Sequence, residues 1–262
     1  MRPYWANFSA RFRLLLQYRA AALAGLATQV FWGLIRMMIF TAFYESAVVP
    51  PPMSLAQVIT YIWLGQAFLM LIPLRLDGEL AQMVRSGNVA YEMLRPVDLY
   101  GFWFSRAVAG RTAPTALRAL PILFVAGIVG WLTKPEWTSV AAFALSLVGA
   151  VAVGSAITML MNIAMIWTIC GRGVSLMMMA VTYLLCGIVI PLPLYPDSFQ
   201  RALAILPFRA IMDVPFRLFS GQMPVSGLPA ALAHQLIWAV ALVLVGRWLL
   251  GRAQRRLVVQ GG

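Results

Sequence analysis

"SVAAFALSLVGAVAVGSAITMLMNIAMIWT", residues 139–168, contains no Asp, Glu, Lys or Arg. A water-facing helix carries one polar face, and this segment has none. It exceeds the about 20 apolar residues that take a helix across a bilayer. Gly149, Ala150, Gly154 and Ser155 lie close together in it, a small-residue patch that lets a second helix approach. The stretch is read as a membrane span, and the chain on both sides follows the same pattern.

Hydrophobic residues make up 62% of the chain and charged residues 11%, against about 45–50% and about 25% in soluble domains. Short alternating segments, the mark of a membrane β-barrel, are absent. Apolar runs at 20–43, 57–75, 107–132, 139–168, 174–192 and 228–249 predict six transmembrane helices. The expected class is an all-α membrane protein. Its parts are an interfacial helix over 1–19, a six-span domain over 20–250 and a tail over 251–262. Cys170 and Cys186 are too few for a disulfide or metal framework.

The net charge of +12 does not point to nucleic acid, because the arginines sit in the gaps between apolar runs rather than in one patch. Arg2, Arg11, Arg13 and Arg19 precede the first span. Arg75, Arg85, Arg95, Arg106, Arg111 and Arg118 lie in or flank the second connection. Arg172 occupies the fourth, and Arg247, Arg252, Arg255 and Arg256 lie near the C-terminus. The alternate connections hold no basic residue at 44–56, Lys134 in the third, and Arg201, Arg209 and Arg217 in the long fifth. The positive-inside rule then places both termini in the cytoplasm.

In "RPYWANFSARFRLLLQYRA", Trp5, Phe8, Phe12 and Leu15 recur on one helical face, with Arg11 and Arg13 off it. That pattern predicts an amphipathic helix lying along the membrane surface. The second connection, 76–106, is unusually polar. "LDGELAQMVRSGN" predicts a short helix from Asp77 to Arg85, with Asp77 and Glu79 at its start and Arg85 at its end, as the helix dipole favours. Gly87 and Asn88 supply turn chemistry, and Arg95 before Pro96 should leave the helical region. Leu80, Met83 and Val84 form an apolar strip suited to docking into another protein.

The fifth connection, 193–227, is long and apolar, so it should dip into the membrane or pack on the spans. "SFQRALAIL" carries a Ser cap signal, and Pro207 and Pro215 should break this helix and the next. Arg36, inside the first span, has two readings: snorkelling to the headgroups, or lining a polar path. Met159, Met161, Met165, Met177, Met178 and Met179 suit either an adaptable surface or ordinary packing.

No Gly-Lys-Ser/Thr phosphate loop is present, which excludes ATP hydrolysis by that route. No Asp or Glu falls clearly inside a span, which argues against ion-coupled transport. An intramembrane serine hydrolase would have to pair Ser155 with His234. A non-transporting scaffold that recruits a partner through the polar connection is a further alternative.

"GELAQMVRSGNVAYEMLRPV" resembles the cytoplasmic loop of ABC-transporter permeases of the type-2 (ABC-2) exporter class, with Glu79, Gly87, Leu94 and Pro96 at the matching places. Pro191, Pro193, Pro196, Gln200, Pro207, Phe208 and Gly221 match the family's external stretch. "LRPVDLYGFWFSR" is similar to a bacterial subgroup in which a permease pairs with a sister permease and a separate ATPase. The resemblance implies an inner-membrane efflux subunit that forms half of the pathway and is not itself an enzyme. The partners implied are an ABC ATPase, a second permease (a sister chain, otherwise a second copy) and membrane lipid. No cofactor is expected on this chain, since ATP and Mg would bind the ATPase. Glu79, Leu80, Met83, Val84, Arg85, Gly87, Arg95 and Pro96 would form the ATPase-coupling element. Pro193, Gln200, Pro207 and Phe208 would belong to re-entrant helices forming an outer gate.

Overall fold

The computed structural model describes residues 2–168 and 171–255. Cys170, Arg256 and the end of the expected tail lie outside the described residues. Among the described residues the chain folds into eleven α-helices linked by turns and short 3-10 segments, with no strand. They are α1 (Arg2–Leu16), α2 (Arg19–Ser46), α3 (Leu55–Ala67), α4 (Gly78–Arg85), α5 (Val89–Met93), α6 (Leu99–Val129), α7 (Trp137–Thr168), α8 (Gly171–Leu185), α9 (Asp197–Ile205), α10 (Asp213–Phe219) and α11 (Leu228–Gln254).

Among the described residues, four helical segments are long and apolar enough to cross a membrane: Ala22–Ser46, Leu99–Val129, Trp137–Thr168 and Val225–Gln254. The second and fifth expected spans fold instead as α3 and α8, of 13 and 15 residues. Each ends early for a local reason. After α3 the chain tightens into a 3-10 turn at Leu69–Leu71 and then meets Pro73. After α8, Gly187 takes a left-handed φ of 87° and Pro191 follows. The third expected span starts earlier than read: α6 begins at Leu99, where the Asp98 side chain accepts from the Gly101 amide. The polar connection is therefore shorter, and Arg106, read as part of it, stands on α6 with Arg111 and Arg118.

The central helix is α7, which packs on α6, α8, α10 and α11. Its small residues are where neighbours come closest. A Cβ on Gly154 would lie 2.9 Å from the Leu71 carbonyl, and one on Gly149 would collide with Gln235. Gln235 donates to the Ser146 carbonyl at 3.0 Å and the Ala210 carbonyl at 2.9 Å, tying α11, α7 and the 208–210 turn together. Ser54 and Gln57 form a reciprocal cap at the start of α3, whose residues from Thr60 to Ala67 are all buried. The largest core cluster gathers Tyr61, Trp63 and Phe68 of this region with Phe143 of α7 and Phe216 of α10.

The 193–227 segment packs into the bundle rather than lying free. α10 buries Asp213, Val214, Pro215, Phe216 and Leu218. Two expectations need correction. Pro215 does not break a helix; it stands in the first turn of α10, where a missing N–H costs nothing. Ser198 is not the cap of α9, because that helix begins at Asp197 after Pro196. Pro207 does follow the end of α9.

Candidate functional site

α4 forms from its own sequence. Asp77 is its N-cap and accepts from the Glu79 and Leu80 amides at 3.0 and 3.3 Å. Ser86 closes it, and Gly87 then turns the chain at φ 75°, a conformation that favours glycine. α5 follows at once and ends before Arg95 and Pro96.

Four charged side chains lock this unit to the rest of the fold. Arg106 of α6 holds Asp77 at 3.2 Å and Glu79 at 2.7 Å. Arg11 of α1 pairs with Glu79 and lies 3.7 Å from Asp77. Asn162 of α7 accepts from the Asp77 amide at 3.1 Å. Burial works against ionisation of Glu79, but the hydrogen bonds and charges of Arg11 and Arg106 outweigh it and hold its carboxyl below the ordinary 4.5. α1 itself lies along α6: Asn7 donates to the Phe102 carbonyl at 2.9 Å, and Tyr4 Oη accepts from the Asp98 amide at 3.1 Å.

The apolar strip read as a docking anchor faces inward. Leu80 is 1% exposed, at the heart of a cluster with Val89, Tyr100, Trp103, Met159 and Leu250; Met83 and Val84 pack against it. The chain's own α6, α7 and α11 already cover this strip. What the unit presents outward is Tyr91, 71% exposed, and Leu94, 79% exposed, together with Arg85, Gly87, Arg95 and Pro96. Sequence reasoning passed over Tyr91, whose signal was a lone aromatic side chain in the short stretch between Asn88 and Pro96. The charges of 83–106 mostly find partners within the chain. Glu92 is buried, bonded to Arg95 at 2.9 Å and to the Trp103 indole at 3.4 Å. Asp98 meets Arg247 at 2.8 Å. Among the described residues, Arg85 has no ion-pair partner. A groove of about 330 Å³ runs between α4 and α5, lined by Glu79, Gln82, Met83, Ser86, Asn88 and Glu92.

Arg36 neither points to solvent nor stands alone. Its Nη1 donates to the Ile188 carbonyl at 2.7 Å, in the irregular stretch after α8. Gln200 donates to the Pro193 and Tyr195 carbonyls at 3.1 and 2.7 Å, which seats α9 on the turn before it. Pro193 and Pro207 are buried, and Phe208 packs against the main core cluster.

Ser155 and His234 are not brought together. Gln235 bonds at Ser146, so His234 stands near residue 146 of α7. Ser155 is roughly 13 Å further along at 1.5 Å per residue. Met159, Met161 and Met165 are buried packing residues, whereas Met177 is 73% exposed.

Long apolar helices, brought close at the small residues of α7, define a multi-pass helical membrane protein. A family model described as ABC-2 family transporter protein matches residues 30–261, so the chain belongs to the ABC-2 family of transporter proteins. No curated protein and no solved structure gives a significant match to the chain.

Proposed function

We propose that this chain is the permease subunit of an ATP-driven ABC exporter in a bacterial inner membrane, with both termini in the cytoplasm. It forms half of the pathway beside a second permease and does not itself hydrolyse ATP. In this reading α3 and α8 count as spans, lengthened by the irregular segments that follow them, which gives six. The 13 residues of α3 rise roughly 20 Å and its 3-10 turn roughly 6 Å more, close to the about 30 Å of a hydrocarbon core. α1 lies at the cytoplasmic surface, and the 193–227 segment, with Pro193, Gln200, Pro207 and Phe208, forms the outer gate.

The observation that carries the reading is the α4–α5 unit: short, locked to α1 and α6 by paired charges, and ending in two exposed apolar side chains. A separate ATPase docks on Tyr91 and Leu94, with Arg85 and Arg95 at the rim, and closure on ATP and Mg moves the clamped unit as one body. A few desolvated anchors dominate most interfaces, whereas rim charges contribute about 0–1 kcal/mol each.

Co-purification with an ABC ATPase co-expressed from the same bacterium tests it. The Tyr91→Ala, Leu94→Asp double variant changes exposed side chains only. It is expected to insert normally and lose both ATPase binding and export. Leu80→Asp places a charge in the covered cluster and is expected to lower the yield of folded protein instead. If the ATPase still co-purifies with the double variant and export persists, docking lies on another surface.

A further inference from the structure

A second cavity, of about 350 Å³, opens between α1, the 70–78 segment, α6 and α7. Its wall is strongly basic: Arg11, Arg75, Arg106, Arg111 and Arg118 face one carboxylate, Asp77. Arg11 and Arg106 already share Asp77 and Glu79. Arg75, Arg111 and Arg118 take part in none of the ion pairs among the described residues.

Arg111 decides the matter. It is 5% exposed. Its Nη1 donates to the Leu71 carbonyl at 2.5 Å, and its Nε has no hydrogen-bond partner. Arg118, two turns along the same face of α6, gives Nη1 to the Met70 sulfur at 3.5 Å, a weak acceptor, and its Nε is also without a partner. Buried polar groups are normally satisfied, and a guanidinium withdrawn from water without a counter-charge is costly. The remaining wall is mostly apolar, including Leu15, Met70 and Ile72, and Gly110 adds no side chain.

We propose that this cavity binds the phosphate of an anionic phospholipid, held by Arg75, Arg111 and Arg118. The guanidinium fork matches phosphate oxygens, which accept two parallel N–H bonds. The volume falls within the about 300–1,000 Å³ of small-molecule sites. It admits a headgroup and glycerol, and the acyl chains remain in the bilayer. The cavity opens beside α1, whose aromatic row Trp5, Phe8 and Phe12 suits the same headgroup layer. The site stands whether or not α5 meets an ATPase.

The test uses the full chain, purified in detergent with its partners and stripped of lipid. It is titrated separately with short-chain phosphatidylglycerol, short-chain phosphatidylcholine and inorganic phosphate. Native mass spectrometry counts bound molecules, and Tm reports stabilisation. Phosphatidylglycerol is expected to bind saturably, one per chain, raise Tm, and exceed phosphatidylcholine, whose choline brings a cation to a basic wall. Arg75→Gln with Arg118→Gln should weaken it about tenfold or more. Gly110→Leu should block it while leaving the lipid-free Tm unchanged or higher, because a Cβ there meets nothing within 4 Å and leucine favours helix over glycine. Inorganic phosphate that binds alone, and is lost in the same variants, identifies free phosphate as the source of the shared anion chemistry. Equal binding of the two lipids, variants that bind like the unmodified chain, or no saturable binding of either lipid or phosphate overturns the proposal.

Discussion

Arg36 reaches from α2 to the Ile188 carbonyl, 2.7 Å away, at a point where α8 has ended and the backbone has no helical partner. Irregular backbone at membrane depth needs such a donor from the protein. Arg36→Gln should leave that carbonyl under-satisfied, at about 1–3 kcal/mol. A lower Tm is the expected result, with faster labelling of a cysteine placed at Val189. Arg36→Lys, whose ammonium reaches further than the glutamine amide, should recover part of both. Export lost with Tm and labelling unchanged would give Arg36 to the transport path instead. That Arg36 was unusual is legible in the sequence, since a charge in an apolar run needs a reason. Its partner lies 152 residues away, and no periodicity reports such a distance. Leu80 and Leu94 make the same point. Both look like apolar residues in a polar connection, yet one is 1% exposed and the other 79%.

α4 is the element whose boundaries were most readable. A helix over Asp77–Arg85 was expected, and Gly78–Arg85 is observed with Asp77 as its cap. Acidic start, basic end and glycine stop are local chemistry. The clamp around it is not local. Glu79 is held below its ordinary pKa by Arg11 and Arg106, so its stabilising share is full above pH 4.5 and is lost as pH falls through its lower value in the fold. Its side chain is 53% exposed, so solvent screening keeps that share under about 1 kcal/mol. Hydrogen exchange of α1 and α4 should therefore be flat from pH 7 down to about 5, and rise selectively in more acidic solution once intrinsic rates are corrected. In Glu79→Gln that acid step should shrink, with slightly faster exchange at neutral pH. An acid step unchanged in the variant would assign it to another carboxylate. α10 shows the opposite limit of sequence reading. Pro215 suggested a break, because proline reads as a helix stop until it is known to stand in a first turn.

Across the whole molecule, α2 and α11 leave large apolar faces uncovered, including Phe31, Trp32, Met38 and Ile39 on the first and Leu236, Ile237 and Leu244 on the second. Under the proposed function, lipid and a second permease cover such faces. Mass measurement of the complex extracted together with its ATPase is expected to find two permease chains, a related sister or a second copy. A single permease chain that transports in lipid would overturn the half-pathway reading. Gln235 belongs to this scale as well. By bonding at once to α7 and the 208–210 turn, it sets the register of α11, and with it the separation of Ser155 from His234.

The sequence alone determined the class of protein, because length and hydropathy of a segment are properties of that segment and a bilayer imposes one length on all of them. It placed the ends of α4 for the same reason, since their donors and acceptors are near in sequence, although Asp77 is the cap rather than a first-turn residue and Ser86 closes the helix before Gly87. The tertiary structure alone decided what each polar or apolar face touches. It turned Leu80, Met83 and Val84 inward, brought α10 into the core, and set Arg111 of α6 in the wall of a cavity. Those outcomes depend on neighbours such as Leu71, Trp103 and Leu250, which are distant in sequence. A side chain's chemistry states what partner it needs, and only the folded chain determines whether that partner is the protein itself.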